Sequence, residues 1–298
     1  HRDELDVVQK ELREVEGLSV LIYDQTCAAE KRRRRKRGTM IDPPKRIFIN
    51  ELVCEGCGDC GVASNCVSVT PVETEYGRKR LIDQSACNKD YSCLKGFCPS
   101  FVTIEGGELQ AIEVDRNFSK LDNLAAPATA SLDHDYNILV TGIGGTGVLT
   151  IGALLGMAAH IEGKECLVAD MTGLAQKGGA VMSHVRIGES VDTLRSPRIV
   201  TGGADLLLAC DSVVAASASA VDILSTERTT AIVNTDLTPV SEFIRRKNID
   251  FQDTTVRKAI RDNTKGEQIW EIPAAHVAEA VTGDSIMTNI TMLGYAVQ

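Results

Sequence analysis

Aromatic residues are scarce in this chain: they make up 4% of 298 residues, with a single Trp. No aromatic cluster accompanies the seven consecutive basic residues Lys31–Arg37. The stacking platforms that single-stranded nucleic acid needs are therefore missing beside them. The net charge of −9 argues in the same direction, against nucleic acid or an anionic membrane as the main partner. Histidine is also sparse, and none of the five lies between Cys54 and Cys98, which removes the Cys/His pattern of structural zinc. No long apolar run survives inspection either. The longest uncharged stretch, Tyr136–Ile161, carries six glycines and divides into a strand, a loop and a helix rather than a membrane span. No signal-peptide pattern opens the chain, so the cytoplasm is expected, and ten cysteines at this length are too few for a disulfide scaffold.

What is present is enough to build cores. Hydrophobic residues make up 43% of the chain, and its length suggests two domains and permits three. The chain starts at His1 and stops at Gln298 inside the apolar run Ile286–Val297, which reads as an internal piece of a longer polypeptide. Residues 2–16 place Leu5, Val8, Leu12 and Val15 on one helical face, with Gly17 as a C-terminal cap, and Leu18–Asp24 reads as a buried strand. Asp42-Pro43-Pro44 marks a boundary. Short β-like pieces (RIFIN, VSVTPVE, RKRLID, SFVTIEGG) follow, and a polar, Ala/Pro-containing linker begins at residue 111. From Asn137 onward, strands (NILVT, CLVAD, DLLLACD, TAIVNTD) alternate with helix-like segments, which implies a parallel sheet with right-handed crossovers.

Seven of the ten cysteines fall between Cys54 and Cys98. Cys54, Cys57 and Cys60 follow each other at spacings of three, interleaved with Gly56, Gly58 and Gly61. One tight loop can thus wrap three corners of a cubane, with amide N–H groups close to its sulfides. Cys98-Pro99 supplies the fourth thiolate in the manner of bacterial ferredoxins, giving a [4Fe–4S] site on Cys54, Cys57, Cys60 and Cys98. Cys87 and Cys93 repeat the spacing with Asp90 in the middle position. Cys66 is the crossed partner, with five residues between it and Cys60 where the pattern has three, and followed by Val67 instead of Pro. A second cluster would use Cys66, Cys87, Cys93 and either Asp90 or water. Apart from this pairing of cysteine runs, no internal repeat is visible. Cys27, Cys166 and Cys210 stand singly, the last two as buried structural thiols.

Gly142-Ile-Gly144-Gly145-Thr-Gly147 satisfies the GxGxxG spacing between a strand and a helix, and Asp170 ends the next strand. Two uses are open: a phosphate cradle for a dinucleotide, or close packing of the helix on the sheet. Gly173–Gly179, with Gln176 and Lys177, lies before Ser183-His184-Val185-Arg186. That loop is either an anion site or a turn, with His184 an ordinary strand residue. Asp205 and Asp211 flank a strand as caps. The basic run is expected to contact an acidic surface of its own assembly or to be solvated.

The order of IYDQTCAAEKRRRRKRG, CEGCGDCGVASNC…CNKDYSCLKGFCP, VTGIGGTGVLTIG and MTGLAQKGGAVMSHVRIG resembles the fused indolepyruvate ferredoxin oxidoreductases. These belong to the thiamine-diphosphate-dependent 2-oxoacid:ferredoxin oxidoreductases. The resemblance implies an α/β fold: a Rossmann-like parallel-sheet domain preceded by a small ferredoxin-like iron–sulfur module and the tail of an α/β thiamine-binding domain. Residues 1–46 would be that tail, 47–110 the module, 111–134 the linker and 135–298 a truncated γ-type domain. It implies oxidative decarboxylation of an arylpyruvate to acyl-CoA and CO2, with electrons leaving through [4Fe–4S] to ferredoxin. Thiamine diphosphate and Mg2+ would be bound mainly outside this chain, since no acidic-Gly-acidic motif for them occurs here. The glycines at 142–147 would then serve packing or the coenzyme A side. The expected partners are ferredoxin, the 2-oxoacid with coenzyme A, and the rest of the polypeptide, in a homo-oligomer. Two other classes stand beside this one: an iron–sulfur protein with an NAD(P)-binding domain, and a zinc-containing nucleic-acid-binding module.

Overall fold

The computed structural model describes residues 2–107, 124–127, 132–173, 179–236, 253–266 and 268–298. The expected linker 111–134 lies mostly outside these residues, as do Gln176 and Lys177. A helix spans Arg2–Arg13, shorter than the expected 2–16, and a second, Ala28–Lys36, carries most of the basic run. Leu18–Asp24 differs from expectation. It forms no strand, and Leu18 and Ile22 are almost fully exposed. A strand needs a neighbour to take its backbone N–H and C=O groups, and none of the described strands pairs with this segment.

The cysteine-rich stretch folds as two interlocked halves. Strand β1 (Lys45–Ile49) pairs antiparallel with β4 (Phe101–Glu105), and β2 (Val69–Thr74) forms a hairpin with β3 (Gly77–Ile82). The four β-like pieces of the sequence are these four strands. A helix at Asp59–Ser64 packs against a 3-10 turn at Ser92–Lys95.

Beyond residue 132 a six-stranded sheet forms in the order β10-β9-β8-β5-β7-β6. Its strands are β5 (Tyr136–Ile143), β6 (Glu165–Thr172), β7 (Ala180–Gly188), β8 (Leu206–Ala209), β9 (Thr230–Asn234) and β10 (Ile269–Ile272). Strands β5, β8, β9 and β10 are parallel, as the alternation with helices implies. The departure is β7, which lies antiparallel between β5 and β6. Only Gly173–Gly179 separates β6 from β7, and a parallel return needs a crossover of about a dozen residues or more. The chain therefore turns straight back.

Alternation along β5 divides the core. Leu139 and Ile143 face a cluster with Leu207, Val214 and Ile260, while Ile138 and Val140 face one with Val148, Ile151 and Met292. The helix Val148–Ile161 covers the second face over β6 and β7. Gly152 lets it approach, because a Cβ there would lie 2.4 Å from Ser183 Oγ and 3.3 Å from Val168 Cγ1. No described helix is long and apolar enough to cross a membrane.

This close approach predicts that Gly152→Val forces the helix off the sheet. Overpacking of this kind costs about 1–3 kcal/mol. Denaturant unfolding should show that loss of stability, and an unchanged midpoint and slope would contradict the packing role.

Candidate functional site

The first cysteine loop leaves β1 through Asn50, whose side chain accepts from Leu52 N (3.0 Å). Gly56 and Gly58 then adopt left-handed backbone (φ +68° and +85°), and the helix Asp59–Ser64 follows. A Cβ on Gly56 would lie 2.2 Å from Arg78 O, so the hairpin β2–β3 presses directly on this loop. Gly56 N donates to Cys54 Sγ at 3.4 Å, the amide-to-sulfur contact that an iron–sulfur cradle requires. Cys54 and Cys60 are buried and Cys57 is exposed.

The second loop is built the same way 33 residues later. Asp83 Oδ1 accepts from Ser85 N (2.8 Å) as Asn50 does from Leu52. Lys89 N donates to Cys87 Sγ at 3.4 Å, as Gly56 does to Cys54. Lys89 and Tyr91 hold φ of +52° and +57°, matching Gly56 and Gly58. Non-glycine residues in that region cost roughly 1–2 kcal/mol each, and both are anchored. Lys89 Nζ reaches Asp42 Oδ2 (2.5 Å), and Tyr91 OH donates to Lys45 O (2.9 Å) beneath the Lys45 ammonium. Asp90 stands where the first loop has Cys57.

The crossed fourth positions obey the same symmetry. Asn50 N donates to Ser100 O (2.8 Å), bringing the segment after Cys98 alongside the first loop. Asp83 N donates to Ser68 O (2.9 Å), bringing the segment after Cys66 alongside the second. Ser68 and Ser100 are both 1% exposed. The structure thus contains an internal repeat that the sequence shows only in its cysteines. Cys98 Sγ lies 2.9 Å from Ser100 Oγ.

Electrostatics couple Cys60 with Cys54 and Cys57, and Cys93 with Cys87 and Cys66. Burial pushes the Cys60 thiol up to about 11, with Cys54 and Cys57 adding to the rise and Arg80 opposing it. Burial likewise pushes Cys93 up to about 11, helped by Cys87, Cys66 and Asp90. Cys87 is raised by burial and by Cys66 and Asp90. Arg80, which sequence reasoning overlooked, is 2% exposed and faces Cys54, Cys57 and Cys60. A buried guanidinium needs negative charge close by. Thiolates at Cys54, Cys57 and Cys60 would add negative charge beside it. Among the described residues, no three His, Cys, Asp or Glu side chains converge as ligands of one mononuclear ion do. Thiolates on a single zinc sit about 3.8 Å apart, whereas a cubane holds its thiolates on four separate irons. Soft thiol donors are the ligand type that iron–sulfur clusters take.

The basic run clamps the second loop. Arg32 Nη1 donates to Ala86 O (2.9 Å) and Asn88 Oδ1 (2.8 Å), and Arg35 Nη1 donates to Asn88 O (2.6 Å). Arg33 and Arg34 pair with Glu30, whose carboxyl the Arg34 hydrogen bond holds below its ordinary range. Lys36 pairs with Asp284, and Ser85 Oγ lies 2.9 Å from Ser285 Oγ. The second loop is therefore joined to the six-stranded domain as well.

In that domain two N–H groups of the glycine loop are bonded internally. Gly144 N donates to Gly179 O (2.8 Å) and Thr146 N to Ile143 O (3.2 Å). Asn289 Nδ2 donates to Thr146 O (3.1 Å), tying the loop to the helix Thr288–Val297. A Cβ on Gly142 would lie 2.5 Å from Val148 Cγ2, and Gly145 and Gly147 have φ of +92° and +101°. Asp170 pairs with Ser183 on β7 and so sits two strands from β5, about 10 Å away. A dinucleotide fingerprint needs its acid on the strand adjoining the glycine strand. The contacts at Gly142, Gly144 and Thr146 are packing contacts, and Asp170 is not placed for a dinucleotide ribose.

The remaining expectations resolve simply. His184 is a buried strand residue whose Nδ1 accepts from Ile199 N (3.2 Å). Arg186 binds Asp135 and Asn137 at 2.8 Å each. Asp205 pairs with Arg228, and Asp211 accepts from Val214 N (2.9 Å) as a cap. Burial raises the Cys166 and Cys210 thiols, the latter to about 12; Cys210 is buried as expected, whereas Cys166 is only half-buried.

Comparison with known proteins extends this geometry. The chain is 43% identical over 75 residues to the indolepyruvate oxidoreductase subunit IorB of Archaeoglobus fulgidus, covering 25% of this chain and 35% of that protein. It is 32% identical over 111 residues to IorB of Methanothermobacter thermautotrophicus, covering 37% and 53%. The chain spans about a third to a half of the length of these curated relatives. Among solved structures, it is similar to the pyruvate oxidoreductase subunit PORC of Thermotoga maritima. That likeness is 22% identical, covers 55% of this chain and 75% of that one, and has a TM-score of 0.39. The model of the pyruvate ferredoxin/flavodoxin oxidoreductase family matches residues 137–298, more than half of the chain, and the chain belongs to that family.

Proposed function

We propose that this chain is the electron-relay segment of an indolepyruvate ferredoxin oxidoreductase together with the start of its γ-type domain. Residues 1–46 are assigned to the tail of the thiamine-binding domain, 47–110 to the iron–sulfur module, 111–134 to the linker and 135–298 to the γ-type domain. The observation that carries the reading is the pair of cysteine loops on one 33-residue repeat, joined through Ser85 and Ser285 to the family domain. The names of the curated relatives support indolepyruvate as the 2-oxoacid.

In this reading Cys54, Cys57, Cys60 and Cys98 hold one [4Fe–4S] cluster, and Cys66, Cys87 and Cys93 with Asp90 hold a second. Thiamine diphosphate with Mg2+, bound mainly outside this chain, supplies the decarboxylation chemistry that converts the arylpyruvate to acyl-CoA and CO2. This chain's part is to set two one-electron carriers side by side and pass electrons to ferredoxin. Arg80 and the Arg32/Arg35 clamp place positive charge beside the thiolates, which eases electron acceptance. The glycines at 142–147 pack the helix and bind no dinucleotide. The protein works in the cytoplasm as a homo-oligomer.

Two outcomes are expected. Anaerobically purified chain should carry about eight iron and eight sulfide, and Cys57→Ala should remove about half of each while leaving the second set. A colourless protein with stoichiometric zinc would overturn the metal assignment. In the complete polypeptide with thiamine diphosphate and coenzyme A, indolepyruvate should reduce ferredoxin faster than pyruvate or 2-oxoglutarate does. A preference for either of the latter would move the substrate to another 2-oxoacid.

A further inference from the structure

Each half of the cysteine module carries a buried serine two residues after its crossed cysteine: Ser68 after Cys66 and Ser100 after Cys98. The backbones at the two serines are held alike, since Ser100 O accepts from Asn50 N (2.8 Å) and Ser68 O from Asp83 N (2.9 Å). Their hydroxyls differ. Ser68 Oγ has no hydrogen-bond partner among the described residues, whereas Ser100 Oγ lies 2.9 Å from Cys98 Sγ. The shared backbone therefore does not impose the contact; the side chain of Ser100 makes it. Ser100 is fixed on both sides, because Pro99 before it has a restricted φ and Phe101 after it opens β4 against β1. At 1% exposure, water does not compete for the hydroxyl, and among the described residues Cys98 Sγ is the partner it has.

In the metal-free chain either atom can donate this bond. A thiolate carries no hydrogen, so once Cys98 binds metal the Ser100 hydroxyl must donate and the sulfur accept. A hydrogen bond to an anion is about twice as strong as a neutral one. It favours the state with more negative charge on sulfur, which is the reduced state. Resting on the reading of Cys54, Cys57, Cys60 and Cys98 as the ligands of one cluster, we infer that Ser100 raises the reduction potential of that site through Cys98. Ser100 acts on a ligand atom, as a positioning residue. Unlike the Gly56 amide on Cys54, this donor can be removed by substitution. On reduction one electron enters the site, supplied by dithionite in the test below, and the proton stays on Oγ.

Potentiometric titration of the full chain, anaerobically reconstituted and followed by EPR, reads the midpoint of each centre. Ser100→Ala should keep its iron and sulfide and move one midpoint to lower potential. Ser100→Thr, which keeps a hydroxyl, should hold that midpoint near the wild-type value. Ser68→Ala should leave it in place as well. An unmoved midpoint in iron-loaded Ser100→Ala overturns the inference and leaves the cluster reading intact. An equal fall in Ser100→Thr or Ser68→Ala also overturns it, because packing rather than the hydroxyl is then the cause. Should Ser100→Ala fail to load iron, Ser100→Gly makes the same comparison, and loss of iron from both overturns the inference in favour of a structural role. A wild-type chain that takes up no iron and sulfide removes the cluster reading, and this inference with it.

Discussion

Thiolates crowded together in a dry place repel one another and lose hydration, and the rest of this structure is arranged around that cost. In the metal-free chain, burial keeps Cys60 and Cys93 protonated at neutral pH, with their pKa values near 11. In the proposed function, metal binding releases those protons and turns two groups of neutral thiols into anionic centres. Positive charge lies close to both sets. Arg80 is buried against the first set, and Arg32 and Arg35 reach the backbone of the second loop. Five of the seven consecutive basic residues, Arg32–Lys36, which in isolation suggest nucleic acid, are spent on this internal task and on Glu30 and Asp284.

The module solves the problem twice with one backbone. A 33-residue repeat places Asn50 against Asp83, Cys54 against Cys87 and Ile47 against Arg80, and crosses the two halves through Ser68 and Ser100. Its asymmetries carry the chemistry. Arg80, in the place of a core isoleucine, supplies charge to the first site. Asp90, in the place of Cys57, puts a carboxylate in the second loop, where its Oδ1 accepts from Ser92. The second loop also faces the family domain, where Ser285 begins the turn that leads to Asn289 and the glycine loop.

Much of this was legible in the residues. The spacing of Cys54, Cys57 and Cys60 and the Pro after Cys98 pointed to the cradle, and the strands β1–β4, β5, β8 and β9 follow their apolar runs. The repeat itself was hidden because left-handed positions held by Gly56 and Gly58 are held by Lys89 and Tyr91 in the other half. Those residues depend on tertiary anchors that a local reading does not see. The reversal of β7 depends on the length of the Gly173–Gly179 turn, and its effect is to move Asp170 away from the glycine strand. The run Leu18–Asp24 has the composition of a buried strand, but hydrogen-bonding neighbours make a strand, and no described strand pairs with it.

The central claim is that one folded unit holds two iron–sulfur centres close enough to exchange electrons. EPR of the fully dithionite-reduced chain tests it most directly, because two paramagnetic clusters within one small module broaden and split each other's signals. The account predicts an interaction spectrum that collapses to a single simple signal in Cys93→Ala. An uncoupled, single-cluster signal from the reduced wild-type chain would contradict it.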